Sequence, residues 1–156
     1  LFAYSAPGKV TGLAAIENYK YPVFGWMLKK WRAIPIDRSN IESAKASIKK
    51  GEEALNDGYK VIILPEGTRT ITGKIRKFKK GGFHMAINTK TPILPVGSKG
   101  AFEYKPKKRW YIKPGKVTLN IGKIIESEDY PILGIDGLMQ RVRKQFQELT
   151  GYELEE

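Results

Sequence analysis

Hydrophobic and polar positions divide the chain into short apolar runs separated by amphipathic stretches. After a Pro7-Gly8 turn, Val10 to Ile16 is an apolar run of small residues that reads as an edge or second strand. Ala33 to Asp37 predicts a short strand whose Pro35 argues for an edge or a bulge. Val61 to Leu64 is unbroken and stopped by Pro65, which suits a strand buried on both faces of a parallel sheet. Between these last two, Ile41, Ala44, Ile48 and Leu55 recur at helical spacing, predicting an amphipathic helix over about 41–57. Ser39 and Glu42 have capping-box spacing, and Gly58 suits the C-terminal cap. Strand, helix and strand make one right-handed parallel crossover, which predicts that the loops carrying Arg38 and Glu66 become neighbours.

Pro22 to Arg32 places Val23, Met27 and Lys30 on one helical line and Phe24, Leu28 and Trp31 on the next. Large apolar residues usually pack in a core, so core packing is the expectation. The alternative is an interfacial helix with Trp26 and Trp31 at headgroup level. Gly81-Gly82 precede a predicted helix over 83–88, and Pro92 to Gly97 reads as a further buried strand. Arg109 to Ile112 and Lys116 to Ile121 read as strands joined by a Pro114-Gly115 turn, with Val117, Leu119 and Ile121 alternating against polar neighbours. Leu138, Val142, Phe146 and Leu149 close the chain as an amphipathic helix ending at Gly151. The expectation is an α/β fold in a single domain, with a central, mostly parallel sheet flanked by helices.

The chain has 156 residues, the size of one domain, and its 28 Lys plus Arg against 16 Asp plus Glu leave a net charge of +12. That surplus points to an anionic partner: phosphate esters, nucleic acid or acidic lipid. With no cysteine and a single His84, Cys-based and paired-His metal sites are excluded, and no metal or resident cofactor is expected. No run approaches the ~18 apolar residues that span a bilayer, and no signal peptide is visible.

Directly after the 61–64 run, Glu66, Gly67, Thr68 and Arg69 set a carboxylate, a permissive backbone position, a hydroxyl and a guanidinium at what would be a strand's carboxyl end, where open α/β sheets bind ligands. On spacing alone an ordinary turn is the favoured reading. Lys74, Arg76, Lys77, Lys79 and Lys80 follow around Phe78, either as a solvated charged loop or as a mobile segment that gathers anions. His84 reads as a surface or packing residue, because no Ser, Cys or Asp partner is placed near it.

Three separated stretches together resemble the glycerolipid acyltransferase family of the lysophosphatidic acid acyltransferase type. They are Gly25-Trp26 with Ala33 to Arg38, Pro65 to Arg69, and Pro92 to Val96. The resemblance implies transfer of a fatty acyl group from acyl-CoA or acyl carrier protein to the hydroxyl of a lysophospholipid, at the cytoplasmic face of a membrane by a peripheral protein. It implies that Arg38 and Arg69 hold the acceptor phosphate while Glu66, Gly67 and Thr68 shape the acceptor pocket. Guanidinium groups suit that task because they bond phosphate bidentately. The family's catalytic Asn-His-x4-Asp block has no counterpart here, and His84 lies on the wrong side of the arginine block to replace it. Residues 1–156 are therefore expected to be an acyltransferase domain without that segment, with no catalytic residue of its own. A noncatalytic anionic-lipid-binding homologue is the first alternative. A nucleic-acid-binding module is the second, suggested by Lys105 to Arg109 beside Trp110 and Tyr111.

Overall fold

The structure is a computed structural model describing residues 8–37 and 39–155; Arg38, on which one expected phosphate contact falls, lies outside the described residues. Two compact units cluster from the fold: one contains residues up to Leu64 together with His84–Thr89, the other Pro65–Phe83 and Lys90 onward.

The first unit holds a parallel sheet in the order β2-β1-β3, from β1 (Val10–Ala15), β2 (Ile34–Ile36) and β3 (Lys60–Ile62). The small-residue run is thus the central strand. Gly12 explains part of that placement, since a Cβ there would come within 3.0 Å of the Ile62 carbonyl oxygen on β3. Pro35 sits on an edge strand, as its missing N–H requires. The Val61 to Leu64 run departs from expectation: β3 is also an edge, only half buried, and Leu64 is 73% exposed. Because β1 lies between β2 and β3, the crossover skips a strand, so β2 and β3 are not neighbours in the sheet.

Helix α1 (Pro22–Lys30) starts with Pro in its first turn and buries only Gly25 and Leu28. Core packing was the expectation, yet Val23 is 81% and Trp26 62% exposed, with Phe24 and Trp31 also exposed. The inward stripe is narrow because Gly25 lies against the backbone of Tyr19, leaving no room for a wider contact on that side. Helix α2 (Ile41–Asn56) packs across all three strands. Its N-cap is Asn40, whose side chain accepts from the Glu42 and Ser43 amides. Ser39, the expected cap, instead donates from its amide and hydroxyl to Asp37. Ser47 on α2 donates to the Pro35 carbonyl at 2.7 Å, tying the helix to the edge strand. Helix α3 (Gly81–Thr89) carries Met85, 1% exposed, over Gly51 of α2.

In the second unit, β4 (Val96–Lys99) pairs antiparallel with β5 (Thr118–Ile121), and the short helix α4 (Ala101–Tyr104) follows β4. Residues 109–112 are not a strand; β5's partner is β4, not a hairpin arm. Helix α5 (Tyr130–Thr150) starts earlier than the 3.6-residue pattern shows, because Gly134 interrupts it with φ 60° before Leu138 and Val142 reach the core. It covers the polar face of β5. Asn120 donates to the Leu149 carbonyl at 2.6 Å, and a Cβ at Gly97 would fall 2.7 Å from the Leu149 Cβ. The apolar alternation of Val117, Leu119 and Ile121 consequently faces outward.

Gly25→Ala is expected to lower stability by about 1–2 kcal/mol. Its Cβ would overlap the Tyr19 carbonyl, and this exceeds the ~1 kcal/mol gained in helix propensity. Gly137→Ala, in helix α5 with its nearest atom 3.5 Å away, should instead stabilise by ~0.5–1 kcal/mol. Urea unfolding midpoints of the two variants check both signs.

Candidate functional site

Past β3 the chain turns through Pro65 into a loop that returns at Lys79, whose amide donates to the Pro65 carbonyl at 2.8 Å. Within this loop, Gly67 has φ +72°, a left-handed conformation that favours glycine. Thr70 Oγ1 accepts from the Gly73 amide at 3.1 Å, forming a local turn that needs no partner outside it. Glu66, Gly67, Thr68 and Arg69 lie just inside this closure, directly after Pro65.

Glu66 is the residue most tightly held. Its Oε2 accepts from the Arg76 amide at 3.0 Å, across ten residues of the loop. Burial pushes its carboxyl above the ordinary 4.5, while the Arg76 amide and the Arg76 charge pull it down and Glu155 pushes it up. Thr68 is half-buried and Arg69 is exposed, and among the described residues no hydrogen bond or ion pair engages either side chain.

The cationic stretch is anchored, in contrast to the mobile alternative. Ile75 and Phe78 are buried, and Phe78 meets Phe83 and Phe146 at ring distances of 6.1 and 5.4 Å. Ile75 pairs in parallel with Leu154: its amide donates to the Glu153 carbonyl, and its carbonyl accepts from the Glu155 amide, both at 2.8 Å. Lys74 bonds Glu153 at 2.8 Å, Arg76 lies 3.4 Å from Glu155, and Lys80 bonds Asp136 at 2.9 Å. Arg143 of α5 completes the junction, donating through Nη2 to the carbonyls of both Ile75 and Glu155. Reading the sequence forward missed this tail. Its signal was there, since Lys74-x-Arg76 and Glu153-x-Glu155 are opposite charges with a shared period of two, the pattern of paired strands.

The five residues expected to bind substrate are thus placed unequally. Glu66, Gly67, Thr68 and Arg69 share one self-closed loop, whereas Arg38 is not described. A cleft of about 230 Å³ lies in the first unit among Thr11, Arg32, Lys50, Glu53, Asp57 and Tyr59, at the amino ends of the strands; none of the four described residues lines it. His84 is exposed on α3. Among the described residues, no group of three or more His, Cys, Asp or Glu could hold a metal, and no helix is long and apolar enough to cross a membrane.

The family model described as Acyltransferase matches residues 1–99, a span that includes Arg38 and the whole Glu66 to Arg69 group. The chain belongs to the acyltransferase family. A 1-acyl-sn-glycerol-3-phosphate acyltransferase of Pseudomonas aeruginosa is 40% identical over 121 residues, covering 77% of this chain and 47% of that protein. One of Cocos nucifera is 33% identical over 131 residues, covering 83% and 42%. The crystal structure of the 1-acyl-sn-glycerophosphate acyltransferase of Thermotoga maritima superposes with a TM-score of 0.76 at 26% identity, over 91% of this chain and 56% of that one. The chain thus spans about half the length of these relatives.

Two outcomes follow from the loop. The raised Glu66 pKa means that the folded state binds this proton more tightly than the unfolded state. Its contribution to stability therefore falls as pH rises from about 4.5 through the folded value. Glu66→Gln, which keeps an acceptor for the Arg76 amide, should be more stable than the native chain at neutral pH, with the gap closing toward about pH 4; urea midpoints across that range measure it. Arg143→Met should cost about 1–3 kcal/mol of local stability at the Ile75–Leu154 pairing, read as faster amide exchange at Ile75 and Glu155.

Proposed function

We propose that the protein to which this chain belongs transfers a fatty acyl group from a thioester, acyl-CoA or acyl carrier protein, to the free hydroxyl of a lysophosphatidic-acid-type acceptor. The acceptor oxygen attacks the thioester carbonyl, the hydroxyl proton leaves to a base, and the thiol departs, giving a phosphatidic-acid-type ester. The carrying observation is the loop that holds Glu66 through the Arg76 amide while leaving Arg69 exposed, with no partner among the described residues.

In this scheme Arg38 and Arg69 hold the acceptor phosphate, where paired guanidinium groups supply bidentate, charge-assisted bonds. Gly67 lets the acceptor approach the backbone, and Glu66 and Thr68 line its glycerol portion with acceptor and donor groups. Among the described residues no group has the partners of a general base for this step; in the family resembled, an Asn-His-x4-Asp block supplies it. The relatives named as 1-acyl-sn-glycerol-3-phosphate acyltransferases support the acceptor class. The exposed Val23, Phe24, Trp26 and Trp31 of the α1 region, with Lys29 and Lys30 at its end, support work at an anionic lipid surface.

In the full-length enzyme, Arg69→Ala and Arg38→Ala should each raise the acceptor KM by about 10- to 150-fold, equivalent to ~1.5–3 kcal/mol, with the thioester KM little changed. His84→Ala should leave turnover largely intact. Steady-state kinetics with each substrate varied in turn decide the matter. Equal rises in both KM values would remove the phosphate-holding role from the arginines.

A further inference from the structure

The loop after helix α4 carries exposed aromatic and cationic side chains outside the 66–69 loop. Between Glu103 and Glu126 there is no acidic residue, while Lys105, Lys107, Lys108, Arg109, Lys113 and Lys116 are cations. Trp110 at the loop's tip is 90% exposed, and Tyr111 and Ile112 beside it are more than half exposed. A solvated tryptophan flanked by an isoleucine is an unusual expense in a water-facing loop, and this one is built rather than slack. Arg109 donates from Nε to the Tyr111 carbonyl at 3.1 Å, and from Nη2 to the Glu103 and Tyr104 carbonyls at 2.8 and 2.6 Å. Its guanidinium carbon also lies 4.9 Å from the centre of the Tyr111 ring, and the Lys113 amide donates to the Tyr104 carbonyl at 3.0 Å. Lys105 donates to the Arg109 carbonyl. Arg109 is thus consumed inside the loop, folding the backbone so that Trp110 is thrust outward, edge-on to Tyr111 at 5.6 Å.

We propose that Trp110, Tyr111 and Ile112 insert into the headgroup–acyl boundary of an anionic bilayer, with Lys107, Lys108 and Lys113 over its phosphates. The chemistry favours a bilayer over a single-stranded nucleic acid. The loop's only guanidinium, the group best suited to stacking on bases and forking onto phosphate, faces inward. The cations left outside are hydrated point charges, and Ile112 gives a base nothing to stack on. An indole and an aliphatic side chain rimmed by lysines are what an interfacial anchor requires. The proposal deepens the assignment of the enzyme to a lipid surface and rests on it, but it adds a contact separate from α1.

Trp26, Trp31 and Trp110 are the chain's three tryptophans, so the contacts can be read one at a time. With Trp26→Phe and Trp31→Phe, the emission of Trp110 should shift to the blue on adding vesicles of phosphatidylcholine mixed with phosphatidylglycerol. It should also be quenched by lipids brominated along their acyl chains. Trp110→Ala in the otherwise native chain should weaken vesicle partitioning by about tenfold. The companion variant Trp31→Phe/Trp110→Phe reports from Trp26 on α1. If Trp26 responds to vesicles and Trp110 does not, the loop proposal is overturned and the lipid-surface assignment stands. If neither responds, both fall. A Trp110 signal that answers to a single-stranded oligonucleotide and not to vesicles assigns the loop to nucleic acid and overturns the proposal.

Discussion

Ile75 is where the loop carrying Glu66 to Arg69 is fastened. Its amide and carbonyl are both spent on the chain's tail, and its side chain is 4% exposed. With Ile75 fixed, the next amide, that of Arg76, is held in position to donate to Glu66. Backbone pairing of this kind is insensitive to which lysine or arginine flanks it, so the loop can carry a dense positive charge without losing its shape. The glutamates of the tail then offset part of the repulsion that Lys74 and Arg76 would otherwise impose on one another. Those ion pairs lie at the surface and contribute little individually; the two buried-side backbone bonds and the Arg143 bridge do more to hold the segment.

Charge is partitioned by this arrangement. Lys74, Arg76 and Lys80 are paired within the second unit and serve its structure, while Arg69 is exposed and has no partner among the described residues, so the +12 balance of the chain overstates the charge available to a ligand. The same distinction separates Arg109, turned onto three carbonyls, from the lysines around it. A guanidinium with several planar donors serves either use, and only the direction it points decides between them.

Exposed apolar surface is similarly divided. On α1 it follows from a helix that is apolar nearly all round but has a buried stripe only as wide as Gly25 and Leu28. On β5 it follows from Gly97 and Asn120, which bring α5 onto the polar side of the strand and turn Val117, Leu119 and Ile121 outward. In both places hydrophobic periodicity marks one face correctly, and packing decides whether that face is the inner one.

The sequence by itself determined the local elements and the residue types gathered in the 66–69 loop. Helix α2 was legible from its 3.6-residue period and Gly58, the edge character of β2 from Pro35, and Glu66 to Arg69 from a compact motif at a strand's end. These depend on residues close together in the chain. What only tertiary structure decided depends on partners far apart. β1 became the central strand because small residues let both neighbours approach, which demoted the apolar 61–64 run to an edge. Asn40 displaced Ser39 as the cap because Asp37 claims the serine. Glu66 acquired its raised pKa and its donor from burial and from a loop fastened to residues 153–155. A period or a motif reports what a residue offers; which offer is taken depends on what the fold brings within ~3 Å of it.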